Sequence, residues 1–247
     1  MSGGFYSGTS GLQIVMPKRD FPSEHQHQSR LGFYAHNESS IEINNSFYKL
    51  PQAKTIARWV TEVPCNFRFT FKLWKEITHQ KNLVFDASQV VRFMEVLAPA
   101  NLYKGCLLVQ FPPSLQAGAR LQLEELLHVL KNFHWPVAVE FRHASWYNDR
   151  IFELLNAFQA AMVIQDMPKS AAPLEFTSDN IVYLRFHGPS GGYKGSYSNS
   201  FLHEYANYIQ EWQHEGRTVY VYFNNTAGAA LQNLHLLKHY VHQISPG

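Results

Sequence analysis

The chain has 247 residues, of which 45% are hydrophobic and 15% aromatic, and its formal net charge is only +2. This length suits one eight-stranded α/β barrel as well as two smaller domains, and the near-neutral charge argues against a surface that attracts nucleic acid over its whole area. No apolar run approaches the roughly 20 residues that a bilayer-spanning helix needs, and the first residues lack a signal-peptide pattern. We therefore expect a cytoplasmic protein without membrane contact.

The residue types that hold metals or form disulfides show no such pattern here. Cys65 and Cys106 lie far apart without metal-ligand spacing, which is typical of reduced thiols. His25 and His27 alternate with glutamines in a polar stretch, which favours a solvated loop over a metal site. We therefore predict neither a metal site nor a cofactor.

Along the chain, segments with the two-residue period of strands alternate with segments that have the 3.6-residue period of helices. The predicted strands are 5–11, 41–48, 67–72, 105–113, a segment that begins at Val137, 161–165, 181–188 and 218–225. The predicted helices are 31–37, 52–62, 86–98, 121–132, 150–160, 201–215 and 229–241. Asp86 and Asp149 are the expected N-caps of the helices that follow them.

Polar side chains stand at or near the end of nearly every predicted strand. They are Glu42 and Asn44, Lys72, Gln110, Glu140 and Arg142, Asp166, Arg185 and His187, and Asn224. Residues two apart in a strand point to the same side, so Glu140 faces the same way as Arg142, and Arg185 the same way as His187. Loop 189–199 follows the seventh strand, and its Tyr193, Lys194 and Tyr197 are predicted to cover a ligand.

Eight strands separated by helices predict parallel βαβ units, and their number fits a single (β/α)8 barrel of the TIM type, one domain over residues 1–247. In such a barrel the carboxyl ends of the strands form one mouth, where chemistry gathers. A barrel that needed only stability would fill these positions with Val, Ile and Leu. The polar strand ends therefore favour a site over packing alone.

Five runs of sequence resemble those of a known family. They are Glu-Ile-Asn-Asn-Ser-Phe-Tyr at 42–48, Gln-Phe-Pro-Pro at 110–113, Glu-Phe-Arg-His-Ala-Ser-Trp at 140–146, Arg-Phe-His-Gly at 185–188 and Tyr-Val-Tyr-Phe-Asn-Asn at 220–225. In this order they are similar to the domain of unknown function 72 family, also called YecE-like. The resemblance implies a TIM-type barrel with these motifs at one mouth, but no reaction. Where the family usually has Gly-Trp-x-Tyr after the first strand, this chain has Gly-Leu-Gln-Ile at 11–14.

The mixture of charges at the predicted mouth suits an anionic ligand with hydroxyl groups. The first hypothesis is therefore an enzyme that acts on a phosphorylated or other anionic small molecule. Its reaction would use acid–base chemistry, as in a hydrolase or an isomerase. Arginines can clamp a phosphate or carboxylate through forked hydrogen bonds, while a carboxylate and a lysine or histidine exchange protons. The candidate catalytic residues are Glu42, Lys72, Glu140, Asp166 and His187. The candidate substrate-binding residues are Asn44, Gln110, Arg142, Arg185, Tyr193, Tyr197 and Asn224.

Three alternatives remain open at this point. The barrel binds nucleic acid or is nuclease-like, with bases stacked on exposed aromatic side chains near Lys194 and Arg68. The pocket senses a metabolite and has no catalytic activity. Or Glu140 and Arg142 form an internal ion pair that only stabilises the fold.

Overall fold

The computed structural model describes residues 3–244 and contains eight parallel strands in one sheet. Their order, β1-β8-β7-β6-β5-β4-β3-β2, brings the first and second strands to the two ends of the sheet, where they meet. The predicted barrel of parallel strands is therefore confirmed. The strands are β1 (Phe5–Thr9), β2 (Ser40–Ile43), β3 (Arg68–Lys72), β4 (Lys104–Gln110), β5 (Val137–Glu140), β6 (Ala161–Gln165), β7 (Ile181–Phe186) and β8 (Thr218–Phe223).

Helices surround this sheet and cover its outer face with apolar side chains such as Leu123 and Leu234. The helices are α1 (Arg30–Asn37), α2 (Asn45–Tyr48), α3 (Ala53–Thr61), α4 (Lys75–Thr78), α5 (Ala87–Val96), α6 (Arg120–Lys131), α7 (Asp149–Ala157), α8 (Asn199–His214) and α9 (Ala230–Ile244). No helix lies between β6 and β7, where residues 166–180 form an irregular connection. Asp86 is the N-cap of α5, as predicted.

Several predicted strands end two or three residues too late, such as 105–113 and 181–188, and two further local predictions were wrong. The second strand was expected to continue to residue 48, but β2 ends at Ile43 and α2 follows. The hydroxyl of Ser46 donates to the backbone oxygens of Ile43 and Lys72 at 2.8 and 2.7 Å, and such local bonds compete with strand pairing. The cap of α7 is Asn148 rather than Asp149, because the Asn148 side chain accepts from the backbone nitrogen of Ile151.

The barrel closes between β1 and β2 through a close approach of their backbones. The backbone nitrogen of Gly11 donates to the oxygen of Glu42 at 2.8 Å, and Ser10 pairs with Glu42. Gly8 lies in β1, two residues before Ser10, and a Cβ atom on it would lie 2.0 Å from the backbone oxygen of Ser40. Glycine at this position therefore permits the approach that closes the barrel.

Aromatic side chains fill the interior of the barrel below the mouth. The rings of Tyr183 and Tyr222 lie 5.3 Å apart, and the ring of Tyr220 lies 6.4 Å from that of Tyr183. The hydroxyl of Tyr222 shares hydrogen bonds with the hydroxyls of Ser40 and Thr70 at 2.5 and 2.7 Å. This packed layer blocks the interior, so a ligand at the mouth meets a solid base rather than a pore.

We expect Gly8→Ala to lower the free energy of unfolding by about 1–3 kcal/mol, because an added methyl group at this contact forces the two strands apart. Gly118→Ala is the matched control, since its Cβ would have no heavy atom within 4 Å. Calorimetric unfolding of both variants measures the difference. Equal melting temperatures would contradict the proposed role of Gly8 in closure.

Candidate active site

A buried arginine lies at the centre of the mouth. Arg185, near the end of β7, is 2% exposed, and its guanidinium donates to both oxygens of Glu42, with Nε 3.0 Å from Oε2 and Nη2 2.7 Å from Oε1. Its other terminal nitrogen, Nη1, lies 2.7 Å from Oε2 of Glu140. Arg185 therefore joins the carboxylates of β2 and β5 across the barrel.

Glu42 is saturated with donors. Besides Arg185, the hydroxyl of Ser10 donates to Oε1 at 2.5 Å and the hydroxyl of Tyr183 to Oε2 at 2.6 Å. Burial opposes the charge of this carboxylate, but Arg185 and the two hydroxyls outweigh burial and lower the pKa of Glu42 below its ordinary value. Glu42 is therefore a fixed anion.

Glu140 forms ion pairs with two arginines, Arg185 and Arg142. Its Oε1 accepts a hydrogen bond from Nε of Arg142, while its Oε2 accepts from Arg185. Burial again opposes ionisation, yet the charges of Arg185 and Arg142 hold the pKa of Glu140 far below its usual range. A carboxylate of this kind does not take up a proton near neutral pH, so Glu140 is suited to holding the arginines in place.

His187 is fully buried beside this pair. Its Nε2 lies 2.8 Å from Nη2 of Arg142 and 3.3 Å from Nη1 of Arg185. Because guanidinium nitrogens only donate, Nε2 must accept, and the ring is neutral with its proton on Nδ1. Burial lowers the pKa of His187, which agrees with a neutral ring. Nδ1 lies 3.3 Å from Oδ1 of Asp166 without forming a hydrogen bond.

We call Glu42, Glu140, Arg142, Arg185 and His187 the charge network. Its members come from the carboxyl ends of β2, β5 and β7, or directly follow them.

Lys72, the last residue of β3, stands beside the charge network. Within residues 3–244 no carboxylate lies within 4.0 Å of its Nζ, which instead lies 4.1 Å from the centre of the Phe47 ring. Burial, and after it the positive charge of Arg185, lowers the pKa of Lys72 to about 8. An ammonium group without a paired anion and with this pKa is suited to proton transfer near neutral pH.

Asp166 is the most accessible carboxylate at the mouth, with a side chain that is 21% exposed. Its Oδ1 accepts from the backbone nitrogen of His187 at 2.7 Å, and its Oδ2 accepts from the hydroxyl of Tyr197. Tyr197 is buried and packs against Phe186 at a ring distance of 5.4 Å. The structure therefore holds Asp166 in place through its neighbours while leaving it open to solvent.

The remaining predicted binding residues differ in their surroundings. The Asn44 side-chain oxygen is buried without a hydrogen-bond partner among residues 3–244, whereas the Gln110 side chain donates to the backbone oxygen of Phe111. Asn224 directly follows β8 and is half-buried, with no side-chain hydrogen bond inside the described chain. Tyr193 is 42% exposed, and its ring lies 5.8 Å from that of His187. This places one side chain of loop 189–199 over the charge network.

Among residues 3–244, no three His, Cys, Asp or Glu side chains are grouped so that they could hold a metal ion. No helix within the same residues is long and apolar enough to span a membrane. Arg68, expected near an aromatic surface for nucleic acid, begins β3 and stacks on Tyr6 at 5.3 Å. It thus lies at the amino end of the strands, away from Lys194 at the mouth, and the two do not form one binding surface.

The model of a protein family described as "Protein of unknown function DUF72" matches residues 6–246. The chain belongs to the DUF72 family. Among curated relatives, the YunF protein of Bacillus subtilis (strain 168) is 28% identical over 241 residues, which cover 84% of each chain. The YecE protein of Escherichia coli (strain K12) is 29% identical over 116 residues, which cover 46% of this chain and 42% of YecE.

Solved structures of the DUF72 family share this fold. A DUF72 protein of Enterococcus faecalis V583 superposes with a TM-score of 0.81 at 23% identity and covers 98% of this chain and 97% of its own. A DUF72 protein of Thermotoga maritima MSB8 does so with a TM-score of 0.74 at 25% identity, covering 97% and 99%. None of these names states an activity, so the comparisons establish the family and the barrel.

Sequence reasoning on this DUF72 protein missed two donors of the charge network, Ser10 and Tyr183. A signal existed for each, because Ser10 lies within the polar run Gly-Thr-Ser-Gly at 8–11, and Tyr183 lies two residues before Arg185, on the same side of β7. The forked hydrogen bonds that Arg185 was expected to offer a ligand go to the two glutamates instead. Arg185 is therefore a positioning residue in this structure.

We expect Glu140→Ala to lower the free energy of unfolding by about 3–5 kcal/mol, because it leaves Arg142 and Arg185 together without the anion between them. Glu124→Ala is the matched control, since its 2.9 Å pair with Arg120 is partly exposed and contributes less than about 1 kcal/mol. Denaturant unfolding measures both. A Glu140→Ala protein as stable as the control would show that the charge network does not hold the barrel together.

Proposed function

We propose that this DUF72 protein is an enzyme that acts on a phosphorylated or other anionic small molecule at the mouth of the barrel. Arg142 would bind the anionic group, Lys72 would donate a proton, and Asp166 would accept one. The observation that carries the proposal is the division of the charges. The two buried glutamates are occupied by Arg185 and Arg142, while Lys72 has no carboxylate partner within residues 3–244.

Arg142 is suited to anion binding because only part of its guanidinium is used. Nε donates to Glu140 and Nη2 lies against His187, but Nη1 makes no hydrogen bond within the described chain and is not among its buried unpaired atoms. A positioned guanidinium with a free donor binds phosphate or carboxylate oxygens strongly. Glu140 fixes its direction, so little entropy is lost when a ligand binds.

Lys72 and Asp166 are the side chains suited to proton transfer, because the other candidates are buried and already paired. Glu42 and Glu140 are buried with lowered pKa values, and the accepting nitrogen of His187 faces two guanidinium groups. Asp166 and Lys72, by contrast, follow β6 and end β3, so a ligand at the mouth can lie between them. An accessible carboxylate and an ammonium on opposite sides of one ligand suit an isomerase or a hydrolase.

Lys72→Met is expected to lower turnover by about 100-fold or more, the usual contribution of a positioned acid or base. The assay incubates the protein with pools of sugar phosphates and organic acids and detects products by mass spectrometry. Lys54→Met, on the exposed side of α3, is the matched control and should keep full activity. Tight ligand binding without turnover in the unaltered protein would instead favour a metabolite-binding protein and overturn the enzyme proposal.

The pH profile tests the direction of proton transfer at Lys72. If protonated Lys72 is the active form, kcat/KM falls as the pH rises through about 8, the pKa to which burial and Arg185 bring this side chain. Lys72→Arg should lose activity as Lys72→Met does, because a guanidinium stays protonated throughout and cannot give up its proton. A profile that rises through pH 8 would show that Lys72 is not the acid.

A further inference from the structure

A polar cavity, which we call the side cleft, opens on the side of the barrel where the strands end. It lies between the loop that follows β3 and the loop that follows β4, and its volume is about 550 Å³, within the range of small-molecule sites. The charge network contributes no residue to its wall. Its lining includes His79, Asn82, Ser114, Leu115, Gln116 and Gln122.

Phe47, a buried ring, contacts both Lys72 at the mouth and His79 in the wall of the side cleft. The Nζ atom of Lys72 lies 4.1 Å from the centre of the Phe47 ring, and the ring of His79 lies 4.8 Å from the same centre. His79 and the proposed proton donor are therefore neighbours across one ring. Burial, followed by the positive charge of Lys72, lowers the pKa of His79 to about 4, so its ring is neutral at pH 7.

The lining of the side cleft is polar and carries no carboxylate, and Lys81 is its one charged side chain. The side chains of Asn82, Ser114, Gln116 and Gln122 make no hydrogen bond to other described residues, so their donors and acceptors are available to a ligand. Amides and hydroxyls both donate and accept, as the hydroxyls of a sugar do. Apart from His79 no aromatic ring lines the cleft, so it offers little surface for stacking a nucleobase.

The walls of the side cleft are fixed before any ligand binds. The indole nitrogen of Trp146 donates to the backbone oxygen of Leu115 at 2.8 Å, and the Trp146 ring stacks on Phe111 and Phe141. The hydroxyl of Ser145 accepts from the backbone nitrogen of Ala117 at 3.0 Å. Two of the family motifs, 110–113 and 140–146, thus anchor the loop that carries Leu115 and Gln116.

The opposite wall shows a strained backbone. Asn82 and Leu83 have φ angles of 53° and 58°, a region that costs side-chain-bearing residues free energy. Leu83 is nevertheless fully buried in the core, and this burial offsets the strain. The loop is therefore held in the conformation that presents Asn82 to the cleft.

We infer that the side cleft is a second part of the substrate site and binds the neutral, hydroxyl-bearing portion of the anionic substrate, as a sugar would be. This inference rests on the proposed function, since it places the charged group of the same molecule at Arg142. The substrate class is then a sugar phosphate or a sugar acid. The anionic group supplies binding at the mouth, and the hydroxyl groups supply specificity in the cleft.

Isothermal titration calorimetry with the complete chain tests the inference. The probes are inorganic phosphate, glucose 6-phosphate, fructose 6-phosphate and ribose 5-phosphate. We expect at least one sugar phosphate to bind about tenfold or more tightly than inorganic phosphate, since several hydroxyl hydrogen bonds add to the contact with the anion. Gln122→Leu should remove most of this gain and leave the affinity for inorganic phosphate unchanged.

Two further variants make the result specific. Arg142→Gln should lower the affinity for inorganic phosphate and for sugar phosphates alike. Gln52→Leu, outside the cleft at the start of α3, should change neither affinity. If inorganic phosphate binds and no sugar phosphate binds more tightly than it, this inference is overturned while the proposed anion site stands. Failure of all four probes to bind would overturn the proposed anion site and this inference together. Equal sugar-phosphate affinity in Gln122→Leu and the unaltered chain would place the sugar outside the cleft.

Discussion

The structure depends on one guanidinium that is removed from water. Arg185 is 2% exposed, and a charge in that position is tolerated only when anions and hydrogen bonds replace its hydration. Glu42 and Glu140 provide both, from strands that are far apart in the sheet. Because no one of these three charges is stable in the interior alone, the position of each strand end fixes the other two. The charge network thereby ties the ends of β2, β5 and β7 together at the mouth.

This arrangement also sets the chemistry of its neighbours. Arg185 and Arg142 keep Glu140 ionised, and they force the buried nitrogen of His187 to accept rather than donate. The same positive charge of Arg185 acts on Lys72 and adds to the effect of burial on its pKa. The charge network thus joins the strand ends and also shifts the pKa values of neighbouring side chains at the mouth.

The period of the strands explains what the sequence could predict. A side chain two residues from another in a strand shares its side, so the grouping of Arg185 with His187 follows from local spacing alone. The partner of Arg185 does not follow, because its contact with Glu42 depends on how two strands separated by 143 residues come together. A ligand and a carboxylate satisfy a guanidinium equally well, and the sequence does not distinguish them. The early end of β2 at Ile43 was missed for a similar reason, because a hydrogen bond from Ser46 to Lys72, which is distant in the sequence, helps to end the strand.

The side cleft was beyond sequence reasoning because loops rather than strands build it. Its residues show no period, and its shape depends on how Trp146 anchors a loop that lies 31 residues earlier. All five motif runs continue past the ends of their strands, and this anchor involves two of them, 110–113 and 140–146. Pro112 lines the cleft, and Ser145 and Trp146 hold its wall, although none of the three belongs to the charge network. Beyond the strand ends, these two runs therefore contribute to the side cleft and its supports, while Glu140 and Arg142 in the second run belong to the charge network.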